Sequence, residues 1–331
     1  MNNPQPLGVV VLLFQPSAVH LANLRRTAAQ SPLLIVVDNS DHPPPGLADL
    51  LRDLRLTCIQ NRNRGGVAGG LNRGIEASAR QGAAAHLLLD QDSELPPGYV
   101  DAMIRAGAEA GAARFILGPR IFDVHAADYL PILSMRWLTL RRLNLEAADP
   151  VRLLRCSFAI TSGSVVSDAA HRAIGPLRED FIIDHVDTEY CVRAARAGVP
   201  IYAVPWLTLR HAIGRRQSRR LGPLRLPVLN HDACRRYYLA RNATALWYLH
   251  GWRFPALALV QVLTLSQALA VVLFEADKRT KLRALALGLL DGVLRRSGPA
   301  DALHPTQSFC KPQDQVGLQR PDAVVDRRVG T

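Results

Sequence analysis

The apolar positions of this chain fall into short unbroken runs at first and into much longer ones past residue 230. Leu7 to Phe14, LGVVVLLF, has the length and continuity of a strand buried on both faces. Helix-compatible sequence follows over Ser17 to Gln30, then a second strand, Leu33 to Val37, which stops at Asp38-Asn39-Ser40. Consecutive prolines make Asp41 to Gly46 a loop. Leu47 to Leu54 predicts a short helix and Leu56 to Gln60 a third strand. Asn61 to Gly70, NRNRGGVAGG, is a glycine-dense turn opening a helix that runs to Arg80. A fourth strand, Ala84 to Leu89, ends at Asp90-Gln91-Asp92, and Pro96-Pro97 lead into a helix ending near Gly111. Strand, loop and helix repeated in this way predict an α/β fold with a mostly parallel sheet and flanking helices.

Farther on the pattern is less regular. Phe115 to Phe122 and Ser157 to Val166 read as strands around an insertion, Asp123 to Pro150. Asp184 to Arg196 reads as a helix closed by Gly198, and Ile201 to Val204 as a short strand. After His211 come an Arg-rich loop, Arg215 to Arg225, and a helix from His231 to His250. Phe254 to Phe274 is apolar and long enough for a bilayer, although Gln261, Ser266 and Gln267 interrupt it. A basic amphipathic helix, Lys281 to Leu294, and a tail without period complete the chain. The expected division is a catalytic domain over 1–228, a C-terminal helical region over 229–296 and a loosely ordered tail over 297–331.

Composition narrows the class. The 331 residues are 48% hydrophobic and carry a net charge of +12, which excludes a wholly disordered chain and favours polyanionic ligands. A solvated Arg-rich surface would give the same charge. Five scattered cysteines without a CxxC predict reduced thiols in a cytoplasmic setting. No basic segment precedes the first apolar run, so no secretory signal is expected.

The chemistry-bearing residues gather at predicted strand ends, where α/β sheets bind ligands. Asp90 and Asp92 flank Gln91, and side chains two apart on an extended chain share a face. Two carboxylates there suit Mg²⁺ or Mn²⁺ holding a pyrophosphate, while a plain turn former would use the same residue types. Asp38 and Asn39 end an earlier strand, where a carboxylate can accept from a nucleobase or ribose. Asp184, Asp187 and Glu189 lie within six residues beside Phe181-Ile182-Ile183, an arrangement that can bury a general base. His211 closes another strand. Arg235, Arg236, Tyr237, Tyr238 and Arg241 fall at helical spacing, suited either to a phosphate clamp or to a charged helix surface.

With these residues laid out, the chain resembles family 2 inverting glycosyltransferases of the GT-A fold, and most resembles the bacterial rhamnosyltransferases of cell-surface polysaccharide. The stretches that carry the resemblance run in family order: VVDNS, NRGGVAGGLNRG, LLLDQDS, GPRIF, AITSGSVVS, FIIDHVDTEYCVRAARAG, HAIG and RRYYLARN, from Val36 to Asn242. Galactofuranosyltransferases share part of this pattern. Gly65-Gly66 stands where the family has a single glycine, and the asparagine spacing is longer by one residue.

The resemblance implies a nucleotide-sugar donor, dTDP-L-rhamnose first, and a saccharide or lipid-linked glycan acceptor. It implies Asp187 as catalytic base, with Asp184 and Glu189 assisting. It implies Asp92, Asp90 and His211 as metal ligands, and Asp38, Asn39, Asn72 and Asp90 at the nucleoside and sugar. Arg236, Tyr238 and Arg241 would support the diphosphate.

From Arg210 to Arg253 the chain has one acid, Asp232, among many arginines, with Trp247, Tyr248 and Trp252 interleaved. That pattern suits an anionic membrane surface, which the resemblance also implies, on the cytoplasmic face of the inner membrane. The apolar run after it fits a membrane-surface helix, a core helix or a homodimer contact, and a full span less well. A galactofuranosyl or other nucleotide-sugar donor is the alternative within enzymes. A non-catalytic basic protein for anionic lipid or nucleic acid is the alternative outside them. No nucleic-acid module is recognisable, and nucleic acid is not expected as a partner.

Overall fold

A computed structural model describes residues 6–144, 152–211, 217–221, 224–306 and 310. Gly214, Arg215 and Arg216 are not described, nor are the side chains of Arg219, Arg220 and Arg225, but where the backbone of the expected Arg-rich loop is described it is paired strand rather than loop. Most of the 297–331 tail lies outside them as well.

The apolar runs become the middle of a nine-stranded sheet. β1 (Leu7–Leu13), β2 (Leu34–Asp38) and β3 (Cys58–Gln60) alternate with α1 (Ala18–Ala28) and α2 (Leu47–Asp53). α3 (Gly66–Arg80), β4 (Ala85–Asp90), α4 (Tyr99–Glu109) and β5 (Ile116–Asp123) continue the pattern. All seven residues of β1 are buried, which is why no polar residue interrupts that run. Each such Val or Leu removed from water contributes roughly 1.5–3 kcal/mol.

The insertion is ordered where it is described: β6 (Asp128–Tyr129) pairs with β5, and β7 (Leu133–Arg136) forms a hairpin with β8 (Thr139–Arg142). β9 (Leu154–Cys156), β10 (Ser164–Ser167), α5 (Asp168–Ile174), α6 (Val186–Arg196) and β11 (Ile201–His211) complete the sheet and its helices. The sheet order is β3-β2-β1-β4-β10-β5-β11-β9. β1, β2, β3, β4, β5 and β11 run one way, and β6, β9 and β10 run against them. The result is a mixed sheet, mostly parallel.

Two expected strand bounds need correcting. The strand foreseen over Ser157 to Val166 is only Ser164–Ser167, because Ser157 to Gly163 forms irregular backbone that carries Ser162 to the sheet edge. The short strand at Ile201 extends to His211 past a register shift between Val204 and Thr208, where Pro205 cannot donate to the ladder.

β12 (Gln217–Leu221) and β13 (Leu224–Val228) pair as a separate ribbon ahead of α7 (Ala233–Leu246). α8 (Ala258–Phe274), α9 (Lys278–Val293) and α10 (Ala300–Leu303) follow. Arg236, fully buried on α7, gives its terminal nitrogens to Gln267 on α8 and to Glu275. Glu275 also accepts from Lys281 at 2.9 Å. Cys234 and Cys310 are joined as a disulfide across 76 residues, which corrects the expectation that all five thiols are free. Cys58, Cys156 and Cys191 are free.

Candidate active site

Asp38, at the end of β2, and Asp90, at the end of β4, occupy the same sheet edge with β1 between them. Two inter-strand steps separate their backbones by about 10 Å. Asn23 pins the turn after β4 by donating to the carbonyls of Gln91 (3.0 Å) and Ser93 (2.7 Å). The Gln91 amide exchanges two hydrogen bonds with the Phe14 backbone. Gln91 is thereby held toward β1, while Asp90 and Asp92 turn to another side together.

They meet His211, delivered by the long β11. Ligand atoms of Asp90, Asp92 and His211 lie within 4.8 Å of one another. His211 Nε2 is 3.9 Å from Asp90 Oδ2, and its Nδ1 is 3.3 Å from Asp92 Oδ1. The closer pair touches without hydrogen-bond alignment, and both its atoms are buried with no hydrogen-bond partner. Two carboxylates and an imidazole converging on one point, with two of the facing atoms lacking an aligned hydrogen bond, make an electronegative pocket that a cation would complete. The donor set, carboxylate oxygens with one imidazole, fits a divalent cation.

Charge accumulates accordingly. Burial, chiefly, pushes the Asp90 carboxyl above its ordinary value, with Asp92 adding to it and His211 opposing. Burial would lower His211, but its contact with Asp92 and the field of Asp90 outweigh burial and raise it. Ser162 Oγ donates to Asp90 Oδ2 and lies 3.4 Å from His211 Nε2. β10 runs antiparallel to β4, so the loop entering it arrives at this edge.

Asp187 sits in the first turn of α6, with Oδ1 accepting from the Thr188 backbone N–H at 2.7 Å. Burial raises its carboxyl to about 6, and neighbouring Asp184 adds to the rise. The loop entering α6 is strained: Ile182, Asp184 and His185 hold φ of 63°, 59° and 61°. α7 clamps that loop. The Asn242 amide donates to the carbonyls of Phe181, Ile183 and Asp184 at 2.8–2.9 Å. Arg235 grips the Asp184 carboxylate through Nε and Nη2 at 3.0–3.1 Å. Burial alone would raise Asp184, but Arg235 outweighs it and holds the carboxyl below its usual range.

Gly66 backs the same loop. It has φ of 61°, and a Cβ there would stand 2.2 Å from the Ile182 carbonyl oxygen. The glycine-dense turn thus serves close approach of the α6 loop, and Val67 N–H donates to that carbonyl at 2.8 Å.

Several residues foreseen at the donor are placed elsewhere. Arg236, Tyr238 and Arg241 are buried in the helical region rather than turned to the sheet edge. Tyr238 accepts from the Ala300 N–H, and Arg241 donates to the carbonyls of Asp180, Phe181 and Gly298. The helical spacing faces them inward, where backbone carbonyls, Gln267 and Glu275 take up their terminal groups. Glu189 is buried against Arg193 (2.8 Å) and His250 (3.1 Å), which take up its carboxylate. Asn72 braces α3 by bonding Leu177 and Glu179. Asn39 is spent on the Gly66 carbonyl and on Asn61. Asp38 keeps one oxygen unpartnered, its other accepting from Ser40 N–H at 2.8 Å. Ser162, absent from the expected site, belongs to its surroundings, its only sequence signal being membership of AITSGSVVS; Arg235, expected with its neighbours at a phosphate, instead holds Asp184.

Residues 21–175 match the profile of glycosyl transferase family 2. The chain is 28% identical over 290 residues to the dTDP-rhamnosyl transferase RfbF of Shigella flexneri, covering 86% of this chain and 94% of that protein. Its fold matches that of GalNAc-T7, solved with UDP, GalNAc and Mn²⁺, with a TM-score of 0.50 and 12% identity, over 63% of this chain and 43% of the other. The profile match and the acidic sheet edge agree on the same segment, and the chain is a glycosyltransferase carrying a family 2 domain of GT-A-like fold.

Proposed function

We propose that the chain transfers L-rhamnose from dTDP-L-rhamnose to a hydroxyl of a saccharide or lipid-linked glycan, inverting the anomeric centre. The observation that carries this reading is the convergence of Asp90, Asp92 and His211 with unsatisfied buried atoms. The relative named as a dTDP-rhamnosyl transferase supports the donor. In this reading Asp92, Asp90 and His211 hold Mn²⁺ or Mg²⁺, and Asp38 receives the nucleoside through its free oxygen. The bound cation would neutralise charge on the departing diphosphate.

The protein's own residues do the rest. Asp187 accepts the proton of the acceptor hydroxyl, and its raised pKa of about 6 gives it basicity near neutral pH. Ser162 keeps Asp90 oriented, and Arg235, through Asp184, fixes the loop from which Asp187 projects. Thermal-shift and donor-hydrolysis measurements over nucleotide sugars with Mg²⁺ and Mn²⁺ test the donor. A response to UDP-galactofuranose exceeding that to dTDP-L-rhamnose would replace the sugar in this reading.

The division into a catalytic part over 1–228 and a helical part over 229–296 belongs to the same proposal, as does attachment to an anionic membrane from the cytoplasmic side. Pro255–Phe274 has a mean hydropathy of 2.2 and only 28% of it is buried. Val262, Leu263 and Leu265 on α8 are more than half exposed, and so are Trp137 and Leu138 at the tip of the β7–β8 hairpin. The tip adjoins the start of α8, since the Ala256 N–H donates to the Trp137 carbonyl at 3.0 Å. Detergent-free fractionation at low and high salt tests this. Purely soluble protein at both would remove the membrane, and a concentration-dependent dimer would assign the face to a second copy.

A further inference from the structure

A second feature lies beside Asp187. A pocket of about 230 Å³ opens beside Asp187 and Thr188, walled by the end of β5, the chain leading into β7 and the irregular stretch before β10. This is below the roughly 300–1,000 Å³ of drug-sized sites and suits a single sugar ring. Its walls are apolar: Pro119, Ile121, Leu130, Ile132, Leu133 and Phe158. Among the described residues Asp187 is the one charged side chain lining it, and Thr188 the one hydroxyl. The Asp187 Oδ1 is occupied by Thr188, and Oδ2 accepts no hydrogen bond among the described residues.

Such walls do not suit a ligand with hydroxyls on every edge. Each hydroxyl pressed against them would lose its hydrogen bonds, and a carboxylate or phosphate would meet the Asp187 charge in a dry site. A methyl group loses nothing there.

We propose that this pocket is the acceptor subsite and that it selects a neutral sugar presenting a methyl group, either C6 of a 6-deoxyhexose or the acetyl of an N-acetylhexosamine. The proposal rests on the glycosyltransferase reading above. The acceptor hydroxyl oxygen bonds to the donor's anomeric carbon as the bond from that carbon to the diphosphate oxygen breaks. The hydroxyl proton passes to Asp187 Oδ2, and the bonding pair leaves with the diphosphate.

The test uses the full chain with dTDP-L-rhamnose, Mn²⁺ and a panel of aryl glycosides: a 6-deoxyhexoside, its 6-hydroxy counterpart, an N-acetylhexosaminide and a hexuronide. The expected result is a kcat/KM about 10-fold or more higher for a methyl-bearing acceptor than for the 6-hydroxy counterpart, with the hexuronide unused. The deoxy and N-acetyl arms tell the two methyl sources apart. Ile132→Thr, which keeps the branched shape and adds a hydroxyl, is expected to shrink that ratio several-fold. An unchanged ratio in the folded variant, a ratio near one in the parent, or turnover of the hexuronide would each overturn the subsite. Hydrolysis of the donor by water, measured without acceptor, reports on the donor site alone. Hydrolysis without methyl preference sinks only this inference, whereas absence of both hydrolysis and Mn²⁺-dependent dTDP binding strikes the donor reading too.

Discussion

The sheet edge and the helical region are built from the same kinds of residues and use them in opposite ways. Around α7 the ionic groups close on one another: Glu275 between Arg236 and Lys281, and Asp291 accepting from Tyr237 and held by His304 and Arg296. At the sheet edge Asp38, Asp92 and His211 keep buried polar atoms without partners. In the helical region these acids have a cation or a donor on them, and the orphans there, Arg236 Nε among them, are themselves donors. At the sheet edge the orphans include two carboxylate oxygens, Asp38 Oδ2 and Asp92 Oδ1, which suit a cation or a donating ligand. Residue type alone therefore misleads. Arg236 and Arg241 looked like a phosphate clamp and are framework, whereas Ser162 looked like nothing and touches two of the three proposed ligands.

That contrast can be broken by substitution. Asp92→Ala should reduce Mn²⁺-dependent binding of dTDP below detection by calorimetry while leaving the melting temperature near that of the parent. Asp187→Asn should keep that binding and lose about 10²-fold or more in turnover. Comparable turnover in the variant would remove Asp187 from its role. In the helical region the pattern reverses: Glu275→Gln strands Arg236 and Lys281 in the interior and should cost about 3–5 kcal/mol in denaturant unfolding. Any folded fraction of that variant should bind Mn²⁺ and dTDP as the parent does.

The pH dependence sharpens the comparison further. A base with a pKa of about 6 must be ionised to work, so turnover should fall about tenfold per pH unit below that value. The stability effect has the opposite sign. Because the folded carboxyl titrates above its ordinary range, burial of Asp187 favours the folded state at low pH, and this contribution is lost as pH rises through about 6. Asp187→Asn should therefore melt a few degrees above the parent at pH 8 and little differently at pH 4. A lower melting temperature at pH 8 would show that the carboxylate is held by an attraction, not tolerated against burial.

Much of the first half was legible because buried parallel strands announce themselves as local apolar runs. Leu7–Leu13, Leu34–Asp38 and Ala85–Asp90 needed no tertiary information, and Asp38, Asp90 and Asp92 followed as strand ends. The period of two across Asp90-Gln91-Asp92 was readable too, although the force that makes it real, Gln91 bonding Phe14, is not local. What stayed hidden depends on partners distant in sequence. β10 is held by β4 and β5 rather than by a long apolar run of its own, so its bounds could not be read. The disulfide joins residues 76 apart with no spacing signature. Asn72 and Glu189 have the right types in the right stretches, and only the distances to Leu177, Glu179, Arg193 and His250 show them engaged in bracing.

The central claim is that Asp90, Asp92 and His211 hold one divalent cation on which donor use depends. Turnover of dTDP-L-rhamnose by chelator-stripped protein tests it most directly. The account predicts none, with recovery on adding Mn²⁺ or Mg²⁺ and no recovery in Asp92→Ala. Undiminished turnover after complete chelation would contradict it.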